Sequence, residues 1–424
     1  MTIKLKSDFS LKEIEEKLNT KNFIGLAFVS IYINLFFIQA LRAFIPGVYV
    51  SITHVVFGED VLINGMILLA LIFFFIPGLT NTICKKVGLN KLMKFSILAI
   101  VIFRLLLAFQ LPSKLETICS GLIIAFYGFY ISTFSTLWLR ENDEIKSNHK
   151  IIFITLTILS AFLIDYFIRA LGLSLDISLL TPGLILDWNL TQYFWLIFQI
   201  PLSGLCVYLT YKYFPRFSSE IKPEKPAEFE YKTLTSLIFV GVGMFFFLQF
   251  SLFLYPNVIA QYTATSYYFN NILNIICLML ATCLILFIKI EFFSDLKFSI
   301  ILNAFMILSL ILLFFFPKDL TYVASIFISI SLIVMYLNFY LLISRMMKIS
   351  FKWEKVKTIS NGFTIGFAFM LIFDVLHIFT TDWAGTIEAF KGLGPIIMLT
   401  AGILLTISSF GAIMLKSKKE GSER

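Results

Sequence analysis

A chain of 424 residues that is 59% hydrophobic and 14% charged, with 49 phenylalanines, has more apolar surface than a water-soluble domain can hide. Its mean hydropathy of +0.90 places it among polytopic membrane proteins. The net charge of +8 is spread over short loops as an orientation signal, and no nucleic-acid partner is expected from it.

Along the chain, residues 7–20 read as a short amphipathic helix. Ser10 and Glu13 fit a capping box, and Leu11, Ile14 and Leu18 share one face. Such a helix either lies on the inner membrane surface or acts as a solubilising tail. Twelve apolar stretches then follow, each long enough to span at about 20 residues per crossing. They are 22–50, 61–80, 93–111, 117–138, 150–171, 191–214, 233–256, 264–288, 298–316, 320–344, 358–380 and 393–415. None alternates like the ten-residue strands of a membrane barrel. The first twenty residues are charged and precede a full span, which argues against a cleavable signal peptide. The loop 172–190 carries Asp176, Pro182 and Asp187 and reads as a packed loop or a lid. Residues 215–232, with Pro215, Pro223 and Pro226, read as a flexible tether.

Four matches at nearly one offset join the two halves. Residues 36–48, FFIQALRAFIPGV, return as 246–258, FFLQFSLFLYPNV. Lys94-Phe-Ser-Ile returns as Lys297-Phe-Ser-Ile, Phe129-Tyr130 as Phe339-Tyr340, and Asp165 as Asp374. The expected fold is therefore all-α and polytopic, with twelve transmembrane helices in two pseudo-symmetric six-helix bundles. The expected parts are a cytoplasmic segment 1–21, a bundle 22–214, a linker 215–232, a second bundle 233–415 and a tail 416–424. Of the 34 lysines and arginines, 28 fall in the segments that this topology puts on one side, which predicts both termini in the cytoplasm.

Twelve spans in two halves with a polar linker resemble the major facilitator superfamily over nearly the whole chain. The family's loop motif between its second and third spans is roughly Gly-x-Leu-Ala-Asp-Arg-x-Gly-Arg-Arg. Asn81-Thr-Ile-Cys-Lys85-Lys86-Val87-Gly88-Leu89-Asn90-Lys91 looks like a degraded copy. Lys86 and Gly88 fit the basic and glycine positions, while Lys85 stands at the aspartate and Leu89-Asn90 at two basic residues. The resemblance implies secondary transport by alternating access. A second similarity, around Arg169 to Trp188 and Gln249 to Tyr262, is to the multi-spanning region that precedes a phosphatase/nuclease-like domain in certain lipid-remodelling proteins.

Polar side chains inside spans are the functional candidates, because charge at membrane depth is costly and faces a cavity or a partner. Asp165 lies fifteen residues past Lys150 and Asp374 seventeen past Lys357, roughly 22 and 25 Å from the inner surface. Gln39, Arg42 and Gln249 lie at similar depth, Arg104 nearer the middle of its span, and Asn270, Asn271 and Asn274 enter from outside. The expected substrate-binding set is Gln39, Arg42, Arg104, Gln249, Asn270 and Asn274, with the arginines suited to an anionic group. Asp165, Asp374 and His377 are the expected proton-coupling residues, since Asp165 faces Arg169 at i, i+4 and Asp374 faces His377 at i, i+3. Plainer roles stand beside these. Asp165–Arg169 suits an intrahelical ion pair, Arg42 and Arg169 suit snorkelling, and Arg104 suits a structural pair with Asp165. Gln39 and Gln249 suit the carbonyls freed by Pro46 and Pro256, and His377 an interfacial position near Trp383.

Five cysteines lack metal spacing, and no HExxH, Walker loop, GxSxG or dinucleotide fingerprint occurs. This argues against an ATP-driven pump and the common membrane hydrolases, and leaves open an enzyme built from aspartates. The expected protein is a non-enzymatic, cofactor-free monomer of the plasma or inner membrane. It acts in the lipid bilayer on a small-molecule or lipid-like substrate, possible proton coupling included. A lipid-handling protein and a non-transporting scaffold or receptor on the same fold are the other classes.

Overall fold

Long apolar runs without water to satisfy their backbone must close their hydrogen bonds internally, and here they do so as helices. In the computed structural model the described residues are 10–56, 79–109, 111, 113–140, 145–170, 188–214, 267–287 and scattered positions from 329 to 343. The helices are α1 Ser10–Leu18, α2 Thr20–Val56, α3 Thr80–Val87, α4 Leu89–Leu107, α5 Ser113–Arg140, α6 Ser147–Ala170, α7 Trp188–Lys212 and α8 Tyr267–Phe287. Among the described residues there is no strand. Three stretches, Thr20–Leu41, Leu115–Trp138 and Asn148–Ile168, are long and apolar enough to cross a membrane. The chain is a multi-pass membrane protein. The expected spans 233–256, 298–316, 358–380 and 393–415, and most of 61–80 and 320–344, lie outside the described residues.

The chain divides into two compact units, one formed by Ser10–Ile221 and one that includes Lys222–Arg424. In the first, α2 is the hub and packs against α1, α4, α5, α6 and α7. Side-chain contacts give the directions. Asn34 meets Thr157 and Phe23 meets Phe153, so α2 and α6 run parallel. Ser30 and Asn34 meet Tyr130 and Tyr127, and Tyr32 meets Ser203, so α5 and α7 run against α2. Alternating directions are what successive membrane crossings require. In the second unit, α8 buries Cys277, Leu278, Ala281 and Ile285 on one side and exposes Ile276, Met279 and Leu280 on the other.

Local chemistry explains the boundaries. Asn19 takes a positive φ of 68° between α1 and α2, a conformation Asn tolerates, so the chain turns there in one residue. Gly88 does the same between α3 and α4 at φ 89°. The glycine of the degraded loop motif is thus a backbone joint. Helix α2 runs through Pro46 to Val56, beyond the expected end at residue 50. Pro46 leaves one carbonyl in the preceding turn without its helical donor.

Helix α1 is present as expected, and its apolar face is taken up by the bundle. Ile14 is fully buried and Leu18 nearly so, against α2 and α6. The Glu13 carboxylate, expected to close a capping box with Ser10, is turned onto the start of α6. It lies 2.7 Å from His149 Nδ1 and 3.5 Å from the Lys146 amide. The negative charge suits the positive end of the α6 dipole.

Helix α2 approaches the end of α7 closely at Gly25. A Cβ there would stand 2.9 Å from Tyr213 Cβ on the chain leaving α7. Gly25→Val is therefore expected to push the two apart and destabilise the protein by about 1–3 kcal/mol. The thermal unfolding midpoint in detergent measures this. An unchanged midpoint would mean that the end of α7 yields freely.

Candidate functional site

A helix of apolar residues becomes informative where it buries a charge. Arg104 lies fifteen residues into the 19-residue α4 and is 4% exposed. Its guanidinium carbon is 5.0 Å from the centre of the Phe36 ring on α2. Phe36 in turn packs edge-on against Tyr32, with ring centres 4.0 Å apart. The Tyr32 hydroxyl is 2.7 Å from Ser203 Oγ on α7, and the Arg104 charge acts on the same phenol. Arg104 faces protein and not lipid. An arginine unpartnered at that depth would cost about 2.5 kcal/mol or more.

Two carboxamides border this cluster. Gln39 is half-buried on α2, three residues past Phe36. Gln199 on α7, one turn from Ser203, is 3% exposed. The Oε1 of each is buried and accepts no hydrogen bond among the described residues. Both are therefore buried acceptors without a donor among the described residues. Gln199 was not singled out from the sequence. Its signal was available: like Gln39 and Gln249 it is a glutamine preceding a proline within one span, here Pro201.

A second buried network ties α2, α5 and α6. Tyr127 donates to Asn34 Oδ1 at 2.8 Å, Asn34 Nδ2 donates to Thr157 Oγ1 at 3.4 Å, and Thr157 donates to the Ile154 carbonyl at 2.8 Å. Phe37 stacks on Tyr127 with ring centres 3.8 Å apart. These bonds hold helices together in a medium where water cannot compete. Tyr127→Phe is expected to lower stability by roughly 0.6–1.7 kcal/mol, since it strips the donor from a buried Asn34 oxygen. Thermal unfolding should show a midpoint drop for Tyr127→Phe but little change for Tyr211→Phe, whose side chain is exposed. Equal midpoints would show that the network contributes nothing.

Asp165 is 1% exposed on α6. It stands eight residues past Thr157, and Arg42 stands eight past Asn34. Because α2 and α6 run parallel, the Arg42 and Asp165 positions share a level on neighbouring helices. Asn274 on α8 is 2% exposed, and its Oδ1 accepts no hydrogen bond among the described residues. Asn270 is the fourth residue of α8, one turn before Asn274. Gln249, Asp374 and His377 lie outside the described residues. Of the expected substrate-binding set, the structure brings Arg104 and Gln39 to neighbouring turns around Phe36, and Asn274 belongs to the other unit. Among the described residues no group of three or more His, Cys, Asp or Glu could hold a metal.

No protein-family model matches the chain, and no curated protein matches its sequence. Solved structures do match. The proton:xylose symporter XylE, bound to 6-bromo-6-deoxy-D-glucose, aligns with a TM-score of 0.59 at 14% identity, over 92% of this chain and 95% of that one. The E. coli fucose:proton symporter FucP aligns at 0.55 and 15% identity, over 93% and 99%. The human organic anion transporter MFSD10 (TETRAN) aligns at 0.57 and 11% identity, over 94% and 99%. The chain thus has the fold of the major facilitator superfamily, at identities too low to carry more than the fold.

Proposed function

We propose that this protein is a secondary active transporter that moves a small solute across the plasma or inner membrane by alternating access. The moving parts are the bundles 22–214 and 233–415, joined by the linker 215–232, with both termini in the cytoplasm. The observation that carries the reading is Arg104. An arginine 4% exposed inside an apolar bundle, near two glutamine oxygens without donors among the described residues, is expensive to keep for packing alone. The shared fold supports transport, and two of the structurally similar proteins are named as proton symporters.

In this reading Arg104 and Arg42 favour an anionic group on the substrate. Gln39, Gln249, Asn270 and Asn274 supply hydrogen bonds. Asp165, Asp374 and His377 couple the movement to protons. Chemistry on the solute is not part of the mechanism: binding energy shifts the population between outward-open and inward-open states. The test is uptake into proteoliposomes of the purified protein, with a panel of labelled organic anions, sugars and nucleosides and an imposed pH gradient. Accumulation of one solute above protein-free vesicles is expected. No uptake of any solute with or without a gradient, together with rapid flipping of labelled phospholipid, would replace this reading with the lipid-handling one.

A further inference from the structure

The lysine-rich ends of α2, α4 and α7 carry a group of exposed side chains that neither the core nor the candidate site uses. Lys212 Nζ lies 2.6 Å from the Tyr208 hydroxyl and 5.0 and 5.4 Å from the centres of the Tyr208 and Tyr213 rings. Lys94 Nζ, on α4, lies 5.9 Å from the centre of the Tyr211 ring on α7. Lys21 is one turn before Gly25, the residue that touches Tyr213, and its charge also acts on the Tyr208 phenol. Three ammonium groups from three helices thus gather around the tyrosines at the end of α7. No ion pair joins any of them to a carboxylate among the described residues.

The tyrosines are not core residues. Tyr208 and Tyr211 are 48% and 54% exposed. On the adjoining face of α4 Phe95 and Ile102 are 57% and 47% exposed, and on the Tyr211 face of α7 Ile200 is 53% exposed. The surface thus has two zones. An apolar strip runs along α4 and α7, and lysines laid over tyrosine rings sit at its end. Tyrosine belongs at the headgroup level of a bilayer, because its ring is apolar and its hydroxyl wet. A lysine held on such a ring is kept beside the bilayer and away from bulk water.

We infer that the Lys21, Lys94, Lys212 and Tyr208 group binds the phosphate of an anionic phospholipid, whose acyl chains lie on the strip between α4 and α7. Charge complementarity selects the occupant. The site offers three cations and a phenol donor, and among the described residues no acid paired with them, which suits a lipid with net negative charge over a zwitterionic one. The inference needs the helices to span a bilayer, but it does not need the protein to transport anything.

The experiment uses the full-length protein in detergent, titrated with phosphatidylglycerol or phosphatidylcholine of the same acyl chains. Native mass spectrometry reads bound lipid. Phosphatidylglycerol is expected to bind wild type more tightly. Lys94→Gln/Lys212→Gln should weaken it roughly thirtyfold, the combined effect of two interfacial lysines. Lys12→Gln, on the solvent face of α1, should bind as wild type does. A second variant, Tyr211→Leu, keeps the apolar area and removes the ring under Lys94, and should weaken binding about two- to fivefold. It keeps the proposal testable if the double variant does not fold. Equal binding of the two lipids, displacement of phosphatidylglycerol by equimolar inorganic phosphate, or wild-type binding in a folded variant would each overturn the inference.

Discussion

Arg104→Gln is expected to lower affinity for an anionic solute by about two orders of magnitude, while Arg104→Lys keeps part of it. Removing one partner of a desolvated, hydrogen-bonded charge pair costs about 2–5 kcal/mol, and most of that cost is the charge left behind. The geometry makes the site sensitive to this. Arg104 lies over Phe36, within electrostatic reach of Tyr32, in a bundle where little water screens it. Lysine supplies a charge without the planar fork that grips a carboxylate or phosphate at two points, so partial retention is expected. Affinity for the solute found in the uptake panel, read from ligand-induced thermal stabilisation, measures the effect. A purely structural arginine predicts another pattern, in which both variants unfold at lower temperature and the folded fraction binds solute as wild type does. That pattern would remove Arg104 from the binding site.

The fold was legible because length and apolarity carry it. Each span must supply about 20 apolar residues, and a sliding average finds such runs without any tertiary information. The expected spans 117–138, 150–171, 191–214 and 264–288 overlap α5, α6, α7 and α8 within a few residues. Ends were less legible. Helix α4 starts at Leu89, four residues before the expected 93, because Gly88 and not the first apolar run sets the turn. The docking of α1 was not legible either. Its amphipathic face shows that it needs an apolar partner, but not whether lipid or protein supplies one. Contacts between helices were the least legible layer. Asn34, Tyr127 and Thr157 hardly lower the hydropathy of their runs, and nothing in one sequence pairs residues 123 positions apart. Charged positions were easier, since a single arginine or aspartate stands out of an apolar run. Hence Arg104 and Asp165 were found and the Tyr32–Ser203 contact beside Arg104 was not.

Asp374→Asn is expected to abolish the dependence of uptake on a pH gradient while solute binding persists. The argument starts from symmetry. Asp165 and Asp374 stand at an offset of 209, close to the 210 that relates the Gln39 and Gln249 motifs. If the halves are copies, the two acids occupy equivalent places on the fifth and eleventh spans. Asp165 is buried on α6, at the level of the Arg42 position on α2. Asp374 has His377 one turn on, a neighbour that can itself take or release a proton near neutral pH. The two copies differ in sequence at the point that matters for coupling: Arg169 follows Asp165 by four residues, and His377 follows Asp374 by three. We propose that the Asp374–His377 pair carries the moving proton, with Asp165 in a supporting part. Asparagine keeps the shape of aspartate and removes its charge, so Asp374→Asn should still exchange solute across the membrane at equal pH. It should no longer concentrate solute when a gradient is imposed. Asp165→Asn leaves the titratable Asp374–His377 pair in place and should weaken coupling less than Asp374→Asn does. Uptake that remains driven by the gradient in both Asp374→Asn and His377→Gln would exclude this pair as the coupling site. Uncoupling by Asp165→Asn alone would move that role to the first half.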